Sequence, residues 1–167
     1  KKKKPVTLPP KRNPAQVQEI LEVLGPLQAK GETTLSQSLH EIAESSRMRG
    51  LVVIISDFFE DVPLINDAIT HLRDRKHDVI LFHLLDQQEL EFSFDRPTRF
   101  IDLEGQGSII TEPTLIREEY LSSLEEHIKS IQEHCLGCEA SYFQVQTSQS
   151  IRETLDGLKK SRRGGGI

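Results

Sequence analysis

An aspartate directly follows a continuous apolar run of this chain. Residues 51–55, LVVII, predict a buried β-strand, and Ser56 and Asp57 stand where that strand ends. Upstream, the segment GETT at residues 31–34 supplies two adjacent hydroxyl groups. Carboxylate and hydroxyl oxygens are ligands that hard cations such as Mg²⁺ prefer, often with water completing the shell. These residue types predict a cation site that needs further oxygen ligands from a third source.

Both features also have purely structural explanations, which the residues alone leave open. An aspartate after a strand often serves in a turn or caps the next helix. Thr33 or Thr34 suits the N-cap of a helix predicted from about residue 34, with Gln37 three residues further on. A second aspartate, Asp86, also follows an apolar run and raises the same question.

The elements that must position these residues alternate between strands and amphipathic helices. Because uninterrupted apolar runs are typical of strands buried on both faces, we expect a parallel sheet. The predicted fold is an α/β open, mostly parallel, doubly wound sheet, in which ligands bind beyond the carboxyl ends of the strands. The predicted extended segments are strands at 51–56, 78–86 and 141–147, a β-hairpin insert at 99–111, and an edge strand or loop at 89–97.

Charge is distributed unevenly along the chain and limits the classes of partner. Residues 1–12 and 159–167 hold ten of the 21 Lys and Arg residues and no acidic residue. The intervening body therefore has 11 basic residues against all 26 acidic ones. Such an acidic body argues against a nucleic-acid partner, because phosphates need a cationic surface. We predict flexible basic tails at residues 1–4 and 159–167.

No apolar run approaches the roughly 18 residues that cross a bilayer, so no membrane span is predicted. The two cysteines do not form a disulfide framework, and we expect a reducing, cytoplasmic setting. Cys135 and Cys138 form a CxxC at the end of a predicted helix, where the helix dipole opposes a thiolate. We therefore predict that Cys135 belongs to the core and that Cys138 has no chemical role.

Catalytic signatures such as GxSxG, GK[ST] and HExxH do not occur in the sequence. The six histidines show no metal-ligand spacing, and His83, within a predicted strand, is expected to be a partnered core residue. We therefore expect a protein that is not an enzyme. The alternative that stays open is an Asp57-dependent phosphoryl-transfer or hydrolytic enzyme of another open α/β family, with Asp57 as nucleophile or metal ligand.

A long segment, RGLVVIISDFFEDVPLINDAITHLRDRKHDVILFHLLDQQELEFSFDRPTRFIDLE, closely resembles the DUF58 family, whose members have a von Willebrand factor A-like domain. Within it, the block HLLDQQELEFSFDRPTRF is more specific than a generic α/β pattern. The segments LPPKRNPAQVQEIL and YFQVQTSQSIRETL resemble the flanking family blocks. The resemblance covers residues 5–158, which we predict to be a single domain.

The resemblance implies a metal ion-dependent adhesion site at the carboxyl edge of the sheet. In such domains a DxSxS loop, a threonine loop and a strand-end aspartate hold Mg²⁺ or Mn²⁺, and a partner's carboxylate completes the coordination. Thr33 matches the threonine and Asp57 matches the aspartate. Family members are often encoded beside MoxR-type AAA+ ATPases. The resemblance thus implies a non-enzymatic protein–protein interaction module that works with such an ATPase in assembling or maturing other proteins.

The sequence departs from the family pattern in one respect, because no DxSxS occurs in its 167 residues. In the family that loop follows the first strand, upstream of the segment that the N-terminal residues match. The chain therefore resembles the C-terminal two-thirds of such a domain, and metal binding is expected to be weak or absent. Without the first strand beside it, the strand at 51–56 is expected to expose an apolar edge that promotes dimerisation.

Overall fold

The computed structural model describes residues 8–9, 13–27, 34–46, 48–101 and 108–164. Its chain divides into two compact units, Lys1–Glu32 and Thr33–Ile167. The first unit contains helix α1, Ala15–Leu24, which buries none of its residues. The second unit contains every other element that the described residues form. The single-domain bounds of 5–158 stay a prediction.

The second unit is an open α/β structure, which confirms the predicted fold class. In chain order its elements are α2 (Leu35–Ser45), β1 (Leu51–Ser56), α3 (Val62–Asp74), β2 (Asp78–Leu85), α4 (Gln87–Glu91), β3 (Thr98–Ile101), β4 (Ser108–Thr111), α5 (Pro113–Gly137), β5 (Ser141–Gln146) and α6 (Ile151–Gly164). Three parallel strands form a sheet in the order β1-β2-β5, and β3 pairs with β4 in the predicted antiparallel arrangement. Residues 102–107, which separate β3 and β4 in the sequence, lie outside the described part of the chain.

The main core lies on the face of the sheet that α2, α3 and α5 cover. Helix α3 buries four apolar residues at helical spacing, and Ile131 and Cys135 of α5 join them. On the other face, Ile80, Phe82 and Val145 form a smaller cluster against which Leu158 of α6 packs. Helices on both faces cover the central strand, and β2 accordingly buries six of its eight residues.

Strand β1 does not follow the expectation of burial on both faces. Ile54 is 4% exposed, whereas Leu51, Val53 and Ile55 are 51%, 47% and 64% exposed. The expectation is wrong for the face of β1 that carries these three exposed side chains. This strand lies at the edge of the sheet, and the small cluster under α6 is formed by strand residues of β2 and β5 only. Within the described residues nothing pairs with the outer edge of β1, which agrees with the predicted apolar edge.

The segment after β2 is a second departure, because residues 87–91 form the short helix α4 rather than an extended edge or loop. A capping box starts the helix: the Asp86 side chain accepts from Gln88 N, and the Glu89 side chain accepts from Asp86 N. At its end Phe92 adopts a left-handed conformation and stacks on Tyr120 of α5 at 4.3 Å between ring centroids.

Helix α6 continues through residues 159–164, which the sequence analysis assigns to a flexible tail. Lys and Arg are good helix formers, and their charge is favourable at a helix C-terminus. Residues 1–4 and 165–167, the rest of the predicted tails, lie outside the described part of the chain.

Arg73 ties three segments together at the amino end of the sheet. Arg73, in the last turn of α3, donates from Nε to the carbonyl of Cys138 at 2.8 Å and from Nη1 to the carbonyl of His77 at 2.7 Å. One planar guanidinium thus joins α3, the residue before β2 and the turn between α5 and β5.

Candidate functional site at the carboxyl end of the sheet

A groove of about 970 Å³ lies at the carboxyl ends of β1 and β2. Residues from α2, α4, β3 and α5 complete its walls. Its lining combines apolar side chains with carboxylates, hydroxyls and two histidines. This is the edge of an open α/β sheet at which ligands bind.

Asp57 lies in this groove, as the sequence predicts. Its Oδ1 accepts a hydrogen bond from Phe59 N at 3.2 Å, and the Ser56 hydroxyl lies 3.4 Å away. The residue Asp57 is exposed, and the N-cap position of α3 belongs to Asp61, whose side chain makes no capping hydrogen bond. Asp57 therefore forms a local turn and at the same time presents an acidic group to the groove.

Thr33 lies outside the described residues, so its position relative to Asp57 stays a prediction. Its neighbour Thr34 is the N-cap residue of α2, but the Thr34 side chain makes no capping hydrogen bond. The first residue of α2, Leu35, lines the groove. The start of α2, the helix that follows the GETT segment in the sequence, is thus part of the same site as Asp57.

Asp86, the second aspartate that follows a strand, caps a helix, which is one of the two roles that the sequence leaves open. The Asp86 carboxylate accepts from Gln88 N at 2.9 Å and from the Thr147 hydroxyl at 2.7 Å. These two hydrogen bonds, the first more than the second, lower the pKa of Asp86. Asp86 therefore caps α4 and ties it to the turn after β5.

The floor of the groove contains a buried histidine. His83 of β2 has no exposed surface, and its Nδ1 lies 2.8 Å from the Tyr142 hydroxyl. Burial, and after it the neighbouring His127, lower the pKa of His83 to about 4, although the backbone and carboxylate of Asp57 oppose the shift. The other ring nitrogen, Nε2, has no hydrogen-bond partner among the described residues. His83 is thus the partnered core residue that we predict, and it is neutral at pH 7.

A second histidine holds the loop that carries Asp57. His127 Nε2 of α5 donates to the Phe58 carbonyl at 3.1 Å. Phe58 has φ 53°, a left-handed conformation that is uncommon for a bulky residue, and its side chain has no exposed surface. Its ring meets His83 edge to face at 5.2 Å between centroids. Buried contacts therefore fix the backbone that follows Asp57.

Two further residues line the groove, Glu60 from the loop after β1 and His127, and neither is among the predicted site residues. His127 has a usable signal, since it lies three residues after Leu124 and four before Ile131 on the inward stripe of α5. Glu60 has none, because its partner is Ser36 of α2, 24 residues upstream.

The oxygens present fit Mg²⁺ in type but not in number. Asp57 supplies one carboxylate and Ser56 one hydroxyl, whereas Mg²⁺ takes about six oxygen ligands, several of them waters. Among the residues that the structure describes, no three His, Cys, Asp or Glu side chains come together in a way that suits a metal ion. Any ion here needs further ligands from Thr33, water or a partner.

The cysteines do not contribute to the site. Cys135 has no exposed surface, and its burial, followed by the neighbouring Cys138, raises the pKa of the Cys135 thiol to about 12. The prediction that Cys135 belongs to the core is confirmed.

None of the described helices is both long enough and apolar enough to cross a membrane.

Comparison with protein families decides the family of this chain. The family described as "Protein of unknown function DUF58" matches residues 1–130. The chain belongs to the DUF58 family. The DUF58 match includes Asp57, His83 and His127, whereas β5 and α6 lie beyond it. Neither curated protein sequences nor solved structures provide a match to the chain.

Proposed function

We propose that this DUF58 chain is a non-enzymatic protein–protein interaction module of von Willebrand A type. It acts in the cytoplasm with a MoxR-type AAA+ ATPase in the assembly or maturation of other proteins. The observation that carries the proposal is the exposed Asp57 carboxylate, which lies in a groove at the carboxyl end of a parallel sheet. The helix that follows Thr33 in the sequence begins at the same groove.

In this proposal Asp57 and Thr33 hold a Mg²⁺ or Mn²⁺ ion together with water and a carboxylate of the partner. The bound ion supplies the positive charge that pairs with that carboxylate. The hydrogen bond from Phe59 N to Oδ1 orients the Asp57 carboxylate before any ligand arrives. Because the chain contains no DxSxS segment, we expect the affinity for the ion to be low without the partner.

The surface around Asp57 suits a protein partner. The Phe59 side chain is 92% exposed, and Ile55 beside it is largely exposed as well. Aromatic side chains are enriched in the buried centres of protein interfaces. A partner that reaches Asp57 would bury both of these apolar side chains.

Substitution of Asp57 by alanine is expected to weaken Mn²⁺ binding at least tenfold. Removal of the carboxylate takes away the acidic ligand that the proposal assigns to the ion. Isothermal titration calorimetry of the whole chain with Mn²⁺ measures the effect, and we expect the dissociation constant to rise at least tenfold, about 1.4 kcal/mol.

The matched control is Asp74→Ala, which removes an exposed carboxylate near the end of α3. Binding of Mn²⁺ by the Asp57→Ala variant with unchanged affinity would contradict the metal site. Covalent labelling of Asp57 by a small acyl phosphate would instead support the phosphoryl-transfer alternative.

We also propose that a second copy of the chain covers the outer edge of β1. Val53→Lys places a charge on the exposed face of that edge and is expected to shift a dimer to monomer. Sedimentation velocity of both proteins over a concentration series measures the change. Leu136→Lys, at an 81% exposed position on α5, is the control for added charge. A wild-type chain that sediments as a monomer at every concentration would refute the dimer.

A further inference from the structure

The first turn of α2 lacks the usual means of satisfying its backbone N–H groups. The first N–H groups of a helix have no partner within the helix and are commonly bound by the side chain of the N-cap residue. In α2 the N-cap residue Thr34 makes no such hydrogen bond, and the first turn contains no acidic residue. A group from elsewhere in the chain must fill this role.

Glu60, from the loop after β1, fills it. Its Oε2 accepts from Ser36 N at 3.0 Å, and its Oε1 accepts from the Ser36 hydroxyl. Ser36 is 6% exposed, so the contact is largely shielded from water. An anionic acceptor strengthens both hydrogen bonds, and negative charge is favourable at a helix N-terminus.

The other end of Glu60 belongs to the loop that carries Asp57. Glu60 N donates to the Phe58 carbonyl at 2.8 Å, and the same carbonyl accepts from His127. Phe58 N in turn donates to the Ser56 hydroxyl at 3.0 Å. Residues 56–60 are therefore one hydrogen-bonded loop, and a displacement of Glu60 displaces the backbone on which the Asp57 carboxylate stands.

We infer that Glu60 is a positioning residue that holds the first turn of α2 against the Asp57 loop. Its carboxylate links two elements that lie 24 residues apart in sequence and that both border the groove. The distance between the Asp57 loop and the first turn of α2 is thereby fixed before any ligand binds. The effect on ligand affinity rests on the proposed function, whereas the positioning itself does not.

Amide hydrogen exchange of the whole chain, followed by NMR without metal, tests the positioning. Two amides report on it: Ser36 N, bound to Glu60, and Phe59 N, bound to Asp57 Oδ1. Loss of a hydrogen bond to a charged group costs about tenfold or more in a local equilibrium. In Glu60→Ala we therefore expect both amides to exchange at least tenfold faster, and in Glu60→Gln, which keeps an acceptor oxygen, by a smaller factor.

A matched variant separates positioning from a general loss of stability. Ile69→Val shortens a buried side chain of α3 and leaves the Glu60 contact in place, so both amides should exchange at close to their wild-type rates. Unchanged exchange of Phe59 N in Glu60→Ala would overturn the inference, and so would an acceleration of both amides in Ile69→Val as large as the one in Glu60→Ala.

Mn²⁺ titration of the same variants keeps the two proposals apart. If the wild-type chain binds Mn²⁺, we expect at least tenfold weaker binding in Glu60→Ala and partial recovery in Glu60→Gln. If the wild-type chain binds none, the metal site is refuted while the exchange rates still decide the role of Glu60. Faster exchange with unchanged Mn²⁺ affinity would overturn the claim that Glu60 positions the metal-binding carboxylate.

Discussion

Acidification from about pH 7 to pH 4 is expected to lower the free energy of unfolding by about 3 kcal/mol through His83 alone. The pKa of His83 is about 4 in the folded chain and near its ordinary value of 6.5 once the chain unfolds. Between these values the unfolded chain binds a proton that the folded chain does not. The stabilisation is therefore complete above pH 6.5, decreases as the pH falls, and is lost below about 4.

Two variants isolate this effect from the other groups that titrate in acid. Tyr142→Phe keeps His83 titratable, whereas His83→Phe/Tyr142→Phe replaces both members of the hydrogen bond by apolar rings of similar shape. Urea denaturation at about pH 7, 5.5 and 4 should show a steeper loss of stability in the single variant, by up to about 1.4 kcal/mol per pH unit. Equal slopes would mean that burial does not keep His83 neutral.

Replacement of Phe58 by alanine is expected to cost about 3 to 5 kcal/mol of folding free energy. The ring is fully buried, and its removal leaves a cavity beside His83 in the main core. A loss of this size is a large part of the roughly 5 to 15 kcal/mol that stabilises a typical domain. Chemical denaturation followed by circular dichroism measures it.

The backbone conformation at Phe58 predicts a difference in stability between the alanine and glycine variants, which burial of the ring alone does not predict. Because φ is 53°, alanine retains the cost of a left-handed conformation, about 1 kcal/mol, and glycine avoids it. Phe58→Gly should therefore be at least as stable as Phe58→Ala. At Phe82, within a regular strand, the order should reverse, with alanine more stable than glycine. The same order at both positions would contradict the strained backbone at Phe58.

The fold was predictable because its signals are local. Apolar runs and helical spacing identify β1, β2, β5 and the helices without knowledge of their neighbours. The exposed face of β1 was not predictable in this way, since it depends on which strand lies at the edge of the sheet. The helix α4 was not predicted, although a local signal for it exists, because an aspartate followed three residues later by a glutamate can form a capping box.

The candidate site was predictable only in its exposed acidic group. Asp57 stands at a strand end, which the sequence shows directly. The residues that hold the Asp57 loop give no such signal, because they contact the loop from positions that are far away in the sequence. Glu60 contacts a residue 24 positions away, and His127 contacts the carbonyl of Phe58 across 69 positions. Sequence spacing says nothing about such contacts until the sheet and its helices are assembled.

The two ends of the sheet in the second unit are held together differently. Arg73 joins three segments there through a single planar group, whereas the groove end is built from loops and from a helix start held by one side chain. Local opening in proteins begins where few contacts must break. Local opening of the second unit is therefore expected to begin at the groove end, with loss of the Glu60 contact, while the strands keep their register.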